Sequence, residues 1–467
     1  MIDFGYWEIG QSITRAIIKG LGYAAKGGIW AYNRYKDNEL QQEIEEQTAA
    51  INQPDLPPTL ASYSKQGVIF GKWQGVYLTK PDDFGGHIMV VGGSGSGKTS
   101  CIAIPSLRAS KARAFVIDIT GELYETTKDY RPNIKVFNPL DSNAYGYNPY
   151  WSLLGSDNPA QEARAISQAI IPLPHNVRDP FWIESAQNIF TGSILHFSNL
   201  GLGFLGTIKV IQSVPARALI QEIAESDISA ARYCVNGLLG MDDKTLAGIM
   251  AELSRHIVVF ITDKHLVSTL KNKNTIHPTD LEYGNDIYIH IPEHLLNQWK
   301  PLITMMVNQF LRYFEQRTGN ERILFLLDEF PRLGKIEAIT SGLATLRSKG
   351  ITICLIIQSL AQLDEIYGHD TRKVIADNCN YQAILSATDA DTQGYYSRLV
   401  GTWDKPKKRY GKQLEMLGLI GSRNEGTAFE NAPIIKPEEF RQLGNDVIVL
   451  TPFGFCRVEK VPYYADE

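Results

Sequence analysis

Apolar residues along this chain fall in short unbroken runs and seldom alternate with polar ones. HIMVVGG (87–93), AFVIDI (114–119), IYIHI (287–291), ILFLLDE (323–329), ITICLII (351–357), YQAILSA (381–387) and DVIVLTP (446–452) are the clearest examples. Runs of this length without alternation predict strands covered on both faces. Segments with helical spacing lie between most of them, so the pattern predicts an α/β fold with a mainly parallel sheet and helices on both faces. Between about 153 and 280 the strand signal fades. AQEARAISQAI, FWIESAQNIFTGSILHF, PARALIQEIAES and KTLAGIMAELSRHIVVF all carry helical spacing and predict an all-α block inserted in the α/β domain.

The N-terminus has another character. Ile9, Ile13, Ile17 and Leu21 recur at helical spacing among Arg15, Lys19, Lys26, Arg34 and Lys36. That predicts an amphipathic helix, packed on its own domain or a partner, or lying on a membrane surface. The charged, Gln-rich run Lys36–Gln47 predicts an exposed helix. QPDLPPT then predicts a linker, with a boundary near residue 60.

Composition narrows the classes. The 467 residues are 44% hydrophobic and 21% charged, which excludes a disordered, collagen-like or disulfide-scaffold chain. There are 51 acidic and 46 basic residues and a net charge of −5, so no whole-chain electrostatic footprint for nucleic acid exists. Contact with a polyanion has to come from a local basic patch or from several copies acting together. The five cysteines are scattered without a C-x-x-C, which argues against a disulfide framework or zinc site and fits a reducing cytoplasm. No stretch has the roughly 18 consecutive apolar residues of a membrane-spanning helix.

The chemistry concentrates after the first run. Gly92-Gly93-Ser94-Gly95-Ser96-Gly97-Lys98-Thr99, followed by Ser100, fits G-x-x-x-x-G-K-[ST] directly behind a strand. Glycines let such a loop wrap closely, so that backbone N–H groups face phosphates. Lys98 would reach the β- and γ-phosphates of ATP, and the Thr99 hydroxyl would ligate Mg²⁺. The second half of such a site is an acidic strand end, and ILFLLDE supplies it. Asp328 is placed to hold the Mg²⁺ shell and Glu329 to polarise the attacking water. With no second phosphate-binding lysine in view, the set points to hydrolysis. Gln358, ending ITICLII, is a candidate to sense the γ-phosphate or orient the water, or else a plain polar strand end. Arg347 is a candidate to reach a neighbouring subunit's nucleotide, or else an exposed helix-end cation. Asp118 either faces the same crevice or caps a turn.

Together these motifs resemble the type IV secretion coupling proteins, the VirD4/TraG class of conjugative DNA-transfer ATPases. The resemblance covers about residues 65–467. It is carried by HIMVVGGSGSGKTSCIAIPSL, FVIDITGELYE, FNPL, YNPYW, DPFWIESAQNIF, ITICLIIQSLAQLDEIYG and above all LLDEFPRLGKIEAI. It implies a RecA-like P-loop NTPase domain with an inserted all-α domain. The expected layout is an N-terminal segment 1–60, nucleotide-binding parts 61–152 and 281–467, and an all-α domain 153–280. It further implies a homo-hexamer at the cytoplasmic side of the bacterial inner membrane. Such a ring delivers single-stranded DNA with its relaxase, or effector proteins, to the secretion channel at the expense of ATP. Lys98, Thr99, Asp328, Glu329 and Gln358 match its motifs, and Arg347 falls where related motors carry an arginine finger. Two departures stand out: Thr120 replaces the family's usual Lys, and the family's opening transmembrane helices have no counterpart in this sequence. An amphipathic N-terminus or a separate inner-membrane partner would then supply the attachment.

Phosphate grip along any DNA sequence needs cations. Candidates are Lys405, Lys407, Lys408, Arg409 and Lys412, and Lys271 with Lys273, each otherwise a solvated loop residue. A receptor whose nucleotide site is mainly structural, or another hexameric translocase or secretion assembly ATPase, remains an alternative at this level.

Overall fold

The structure is a computed structural model. It describes residues 58–465 except 175–176 and 412–423, together with scattered exposed helical positions between 31 and 46; for 406–411 and 424–428 it describes the backbone. The helix expected through Ile9, Ile13, Ile17 and Leu21 lies outside the described residues, as does Lys412. The chain divides into two compact units, Met1–Pro54 with Ser397–Lys436, and Asp55–Tyr396 with Pro437–Glu467. No helix among the described residues is long and apolar enough to cross a membrane.

In the first unit β11 (Thr402–Gly411) and β12 (Asn424–Pro433) pair as an antiparallel ribbon, with Lys405 opposite Glu430.

The second unit is built on a twelve-stranded sheet. Seven strands are parallel, in the order β10 (Tyr381–Ile384), β4 (Ile88–Val91), β9 (Ile351–Ile357), β8 (Ile323–Leu327), β5 (Arg113–Asp118), β7 (Asp286–His290) and β6 (Ile134–Phe137). Every residue of β4, β8 and β9 is buried, which is why these strands read as continuous apolar runs. Beyond β10 the sheet continues antiparallel through β13 (Asp446–Thr451), β14 (Gly454–Glu459), β2 (Val68–Trp73), β3 (Val76–Lys80) and β1 (Ala61–Ser62). All seven apolar runs form strands, but the last, β13, is antiparallel. A tight turn returns it directly into β14, and no crossover helix precedes a parallel partner. The pattern missed β2, β3, β6 and β14 because polar residues interrupt their short apolar stretches: Lys72 in β2, Thr79 and Lys80 in β3, Lys135 in β6, and Arg457 and Glu459 in β14.

Alternation through the strands loads both sheet faces. Ala114, Val116, Leu324 and Leu326 pack with Ile102, Ala103 and Leu107 of the segment that follows the phosphate loop. Phe115 and Phe325 point the other way, where Phe310 and Phe314 of the long helix Glu293–Gln316 pack on them tilted and edge-on, with ring centroids 4.8 and 5.7 Å apart.

Between β6 and β7 the described residues from Pro159–Ile170 to Pro278–Glu282 form helices and turns without a strand. Side-chain oxygens of Asn158, Asp242 and Asp263 cap helix starts. A polar knot ties the segment 147–151, just ahead of this block, to the helix Glu293–Gln316. Tyr147 donates to Gln309 Oε1 at 2.5 Å, Trp151 Nε1 donates to Tyr147, and Gln309 Nε2 reaches Pro149 O at 2.9 Å. The Asn-Pro pairs of FNPL and YNPYW form Asx-turns: Asn138 Oδ1 accepts from Leu140 N and Asn148 Oδ1 from Tyr150 N.

Candidate functional site: a phosphate loop facing paired carboxylates

Strand register assembles the site. β4 pairs Val91 with Ile357 of β9, and β9 pairs Leu355 with Leu327 of β8. The residues that follow these strands therefore emerge side by side: Gly92 from β4, Gln358 from β9, and Asp328 with Glu329 from β8. This is the carboxyl edge where open α/β sheets bind ligands.

Gly92 N donates to Ile357 O at 3.2 Å, and Gly93 N to Ser386 Oγ at 3.0 Å, fixing the loop to both neighbouring strands. Gly97 has φ 96°, and a Cβ there would lie 2.9 Å from Cys101 Sγ, so the turn into the helix demands glycine. Lys98–Ala103 then winds as a wide π turn before the α-helix Ile104–Ala109. Pro105 can donate no hydrogen bond to the preceding turn, which loosens the ladder here. Ser94 and Gly95 are exposed at the loop tip, while Ser96, Thr99 and Ser100 are half-buried. Ser96 Oγ is buried without a hydrogen-bond partner among the described residues.

Lys98 is buried and donates to Gly92 O at 2.8 Å and Gly93 O at 3.2 Å, with Glu329 Oε1 at 4.0 Å. Burial lowers its pKa, while Glu329 and Asp328 oppose that shift. Asp328 is also buried. Burial first, then the adjacent Glu329, push its carboxyl up to about 7. Glu329 holds a left-handed backbone, φ 47°, which is costly outside glycine and aims its side chain off the strand end. Gln358 Nε2 donates to Glu329 at 3.0 and 3.3 Å.

A carboxylate crowded by a second one is a hard oxygen donor whose charge a divalent cation relieves, and a hydroxyl is a donor of the same class. Asp328 and Thr99 thus fit Mg²⁺ in donor chemistry. The raised Asp328 pKa has a consequence for stability. Between about pH 4 and 7 the folded chain holds a proton at Asp328 that the unfolded chain has lost. The group's stabilising contribution is therefore full below pH 4 and lost as pH rises through 7. Without Mg²⁺ and nucleotide, Asp328→Asn should raise the melting temperature relative to the parent by an amount that widens from pH 4 to 7 and then levels. A difference that stays constant with pH in chelator-treated protein would contradict it.

The structure brings together Lys98, Thr99, Asp328, Glu329 and Gln358. It does not bring Arg347 to them. Arg347 lies in the turn Leu346–Lys349 ahead of β9, seven strand residues from Gln358, about 20 Å away at the opposite sheet edge. It is exposed there and packs over Gly85. Asp118 serves as a cap: its two oxygens accept from Gly121 N and Tyr124 N, each at 2.8 Å. Thr120 is exposed beside it. Lys271 and Lys273 are exposed in the helical block, and Lys405 in the ribbon of the first unit.

Sequence reasoning missed part of the wall facing the loop. Ser386, Arg441 and Lys460 line a cavity of about 500 Å³ with Ser94, Ser96 and Gln358. No local motif marks these three, since the chain reaches the loop again only after some 290 to 360 residues.

The family model for type IV secretory system conjugative DNA transfer matches residues 33–467. Protein VirD4 of Agrobacterium fabrum is 26% identical over 425 residues, covering 86% of this chain and 62% of that protein. The conjugal transfer protein TraG of Escherichia coli is 22% identical over 428 residues, covering 81% of this chain and 65% of that protein. The chain thus spans just over three fifths of the VirD4 length. Among solved structures, the bacterial conjugative coupling protein TrwB lacking 70 N-terminal residues superimposes with a TM-score of 0.68 at 17% identity, covering 89% and 91% of the two chains. TrwB in complex with ADP and Mg²⁺ gives 0.67 at 17% identity, covering 85% and 89%. The fold is that of a RecA-like P-loop NTPase with an all-helical domain, and the chain belongs to the type IV secretory system conjugative DNA transfer family, with VirD4 and TraG among its relatives.

Proposed function

We propose that this protein is an ATP-hydrolysing coupling protein that recruits single-stranded DNA with its relaxase, or effector proteins, and drives them into a type IV secretion channel. The observation that carries the reading is the convergence of Lys98, Asp328, Glu329 and Gln358 on one sheet edge around the phosphate loop. The nucleotide complexes of TrwB support the same substrate class.

In this reading the loop amides and Lys98 bind the β- and γ-phosphates of ATP. Thr99 and Asp328 hold Mg²⁺, which neutralises charge on the phosphates when bound. Glu329 orients the attacking water and accepts its proton. Lys98 leaves the Gly92 and Gly93 carbonyls for the phosphate, and Gln358, now hydrogen-bonded to Glu329, turns to the γ-phosphate and frees the carboxylate. Arg347, remote from its own loop, acts on a neighbouring copy's nucleotide in a homo-hexamer. Lys271, Lys273, Lys405 and the ribbon cations Lys407, Lys408 and Arg409 contact the DNA backbone. The helical block receives cargo. Work at the cytoplasmic face of the inner membrane, through a membrane partner or the N-terminal segment, completes the reading.

The test is ATPase rate and particle size with and without single-stranded DNA. We expect DNA to raise turnover and particle size together, with stimulation fading as salt rises. No stimulation and no larger particle would favour a protein receptor instead.

A further inference from the structure

The cavity beside the phosphate loop has a wall built by the closing segment of the chain. Lys460, just past β14, and Arg441, ending the turn Pro437–Arg441, both line it. Lys460 Nζ rests on main-chain oxygens, Gly444 O at 2.6 Å and Leu385 O at 3.5 Å. Asp446, whose charge favours the ammonium form, is itself paired with Arg457 at 3.0 Å. Among the described residues the half-buried ammonium has no carboxylate of its own, and partial burial lowers its pKa. Two tethers fix it relative to the loop. Tyr463 N donates to Ser100 O at 2.9 Å, and Ser386, next to Leu385, receives the Gly93 N–H. Lys98 stands on the β8 side of the loop beside Glu329, whereas Lys460 stands on the β10 side. A polyanion in the loop would lie between two cations.

We propose that Lys460 is a second phosphate-binding cation of the nucleotide site, holding the polyphosphate of a nucleoside di- or triphosphate from the side opposite Lys98, with the exposed Arg441 adding charge to the same wall. The inference rests on the nucleotide reading above and adds a residue to it. The resting carbonyl contacts are weak, neutral partners that a phosphate oxygen replaces with a charge-assisted bond. Lys460 serves binding, and the chemistry stays with Glu329.

The experiment is equilibrium binding of fluorescent Mg-ATP and Mg-ADP analogues across a salt series to the parent, Lys460→Met, Lys460→Arg, Arg441→Ala and Lys98→Ala. Lys460→Met should weaken both nucleotides about tenfold and flatten the salt dependence. Lys460→Arg should stay within about threefold of the parent, and Arg441→Ala should lose about threefold. Binding by Lys460→Met within twofold of the parent, while Lys98→Ala loses binding, would overturn this assignment alone. Equal failure of Lys460→Arg and Lys460→Met, with unchanged salt dependence, would overturn it in favour of a role in holding the Gly444 turn. A parent that binds neither nucleotide would overturn the nucleotide reading as well. If Lys460→Met does not fold, retention by Lys460→Arg together with the loss in Arg441→Ala supports the assignment, and an unchanged Arg441→Ala overturns it.

Discussion

Glu329→Gln is expected to bind Mg-ATP about as tightly as the parent and to hydrolyse it at least about 100-fold more slowly. The substitution keeps the size and planarity of the side chain, so the left-handed backbone at φ 47° survives. One amide oxygen still accepts from Gln358 Nε2, which now sits 3.0 Å from the carboxylate. What disappears is the negative charge and the capacity to accept a proton from water. General-base contributions are about 10²–10⁴-fold, and the adjacent buried Asp328 cannot replace the lost base while it holds a cation. Lys98 loses an opposing charge at 4.0 Å but keeps its carbonyl partners on Gly92 and Gly93, so the loop retains its shape. Single-turnover hydrolysis and nucleotide affinity measured on one preparation decide the matter. A rate within tenfold of the parent would show that another group prepares the water. DNA transfer should fall with hydrolysis; transfer that continues at the parental level would leave the nucleotide site a structural element.

Asp286→Ala should cost about 3–5 kcal/mol of folding stability, the largest single-site loss expected away from the hydrophobic core. Asp286 and Arg131 are both buried. Arg131 grips both carboxylate oxygens, Nε to Oδ2 at 2.8 Å and Nη2 to Oδ1 at 2.9 Å, a fork-on-fork pair. The same guanidinium donates to Leu107 O at 2.7 Å, Ser110 O at 3.2 Å and Ala112 O. Asp286 Oδ1 also accepts from Ala114 N at 2.7 Å. The pair therefore fastens the end of the phosphate-loop helix to β5 and β7. Removing the aspartate strands a desolvated guanidinium, whereas replacing both partners with apolar residues of similar size removes that penalty. Chemical denaturation should accordingly give a large loss for Asp286→Ala and a much smaller one for Asp286→Leu with Arg131→Met. Equal losses in the two would mean that packing, not the stranded charge, sets the cost.

Much of the site was legible in the chain because its chemistry is local. The phosphate loop is eight consecutive residues behind an apolar strand, and the Asp328–Glu329 pair closes another such strand. Gln358 was legible only as a candidate. Its link to Glu329 exists because β9 lies between β4 and β8, an order that no spacing along the chain encodes. Asp118 looked equally placed for the crevice, yet both its oxygens are spent on backbone amides.

The sequence by itself determined the α/β class, the helical block and the loop. Periodicity and a contiguous motif depend on neighbours a few residues apart, and burial on two faces writes itself directly into apolar runs. Only the tertiary structure decided the antiparallel half of the sheet and the presence of Lys460 and Arg441 beside the loop. Each of these depends on which strands become neighbours after separations of up to some 360 residues. Local propensity carries no information over that distance, and the pairing is settled by burying the whole sheet at once.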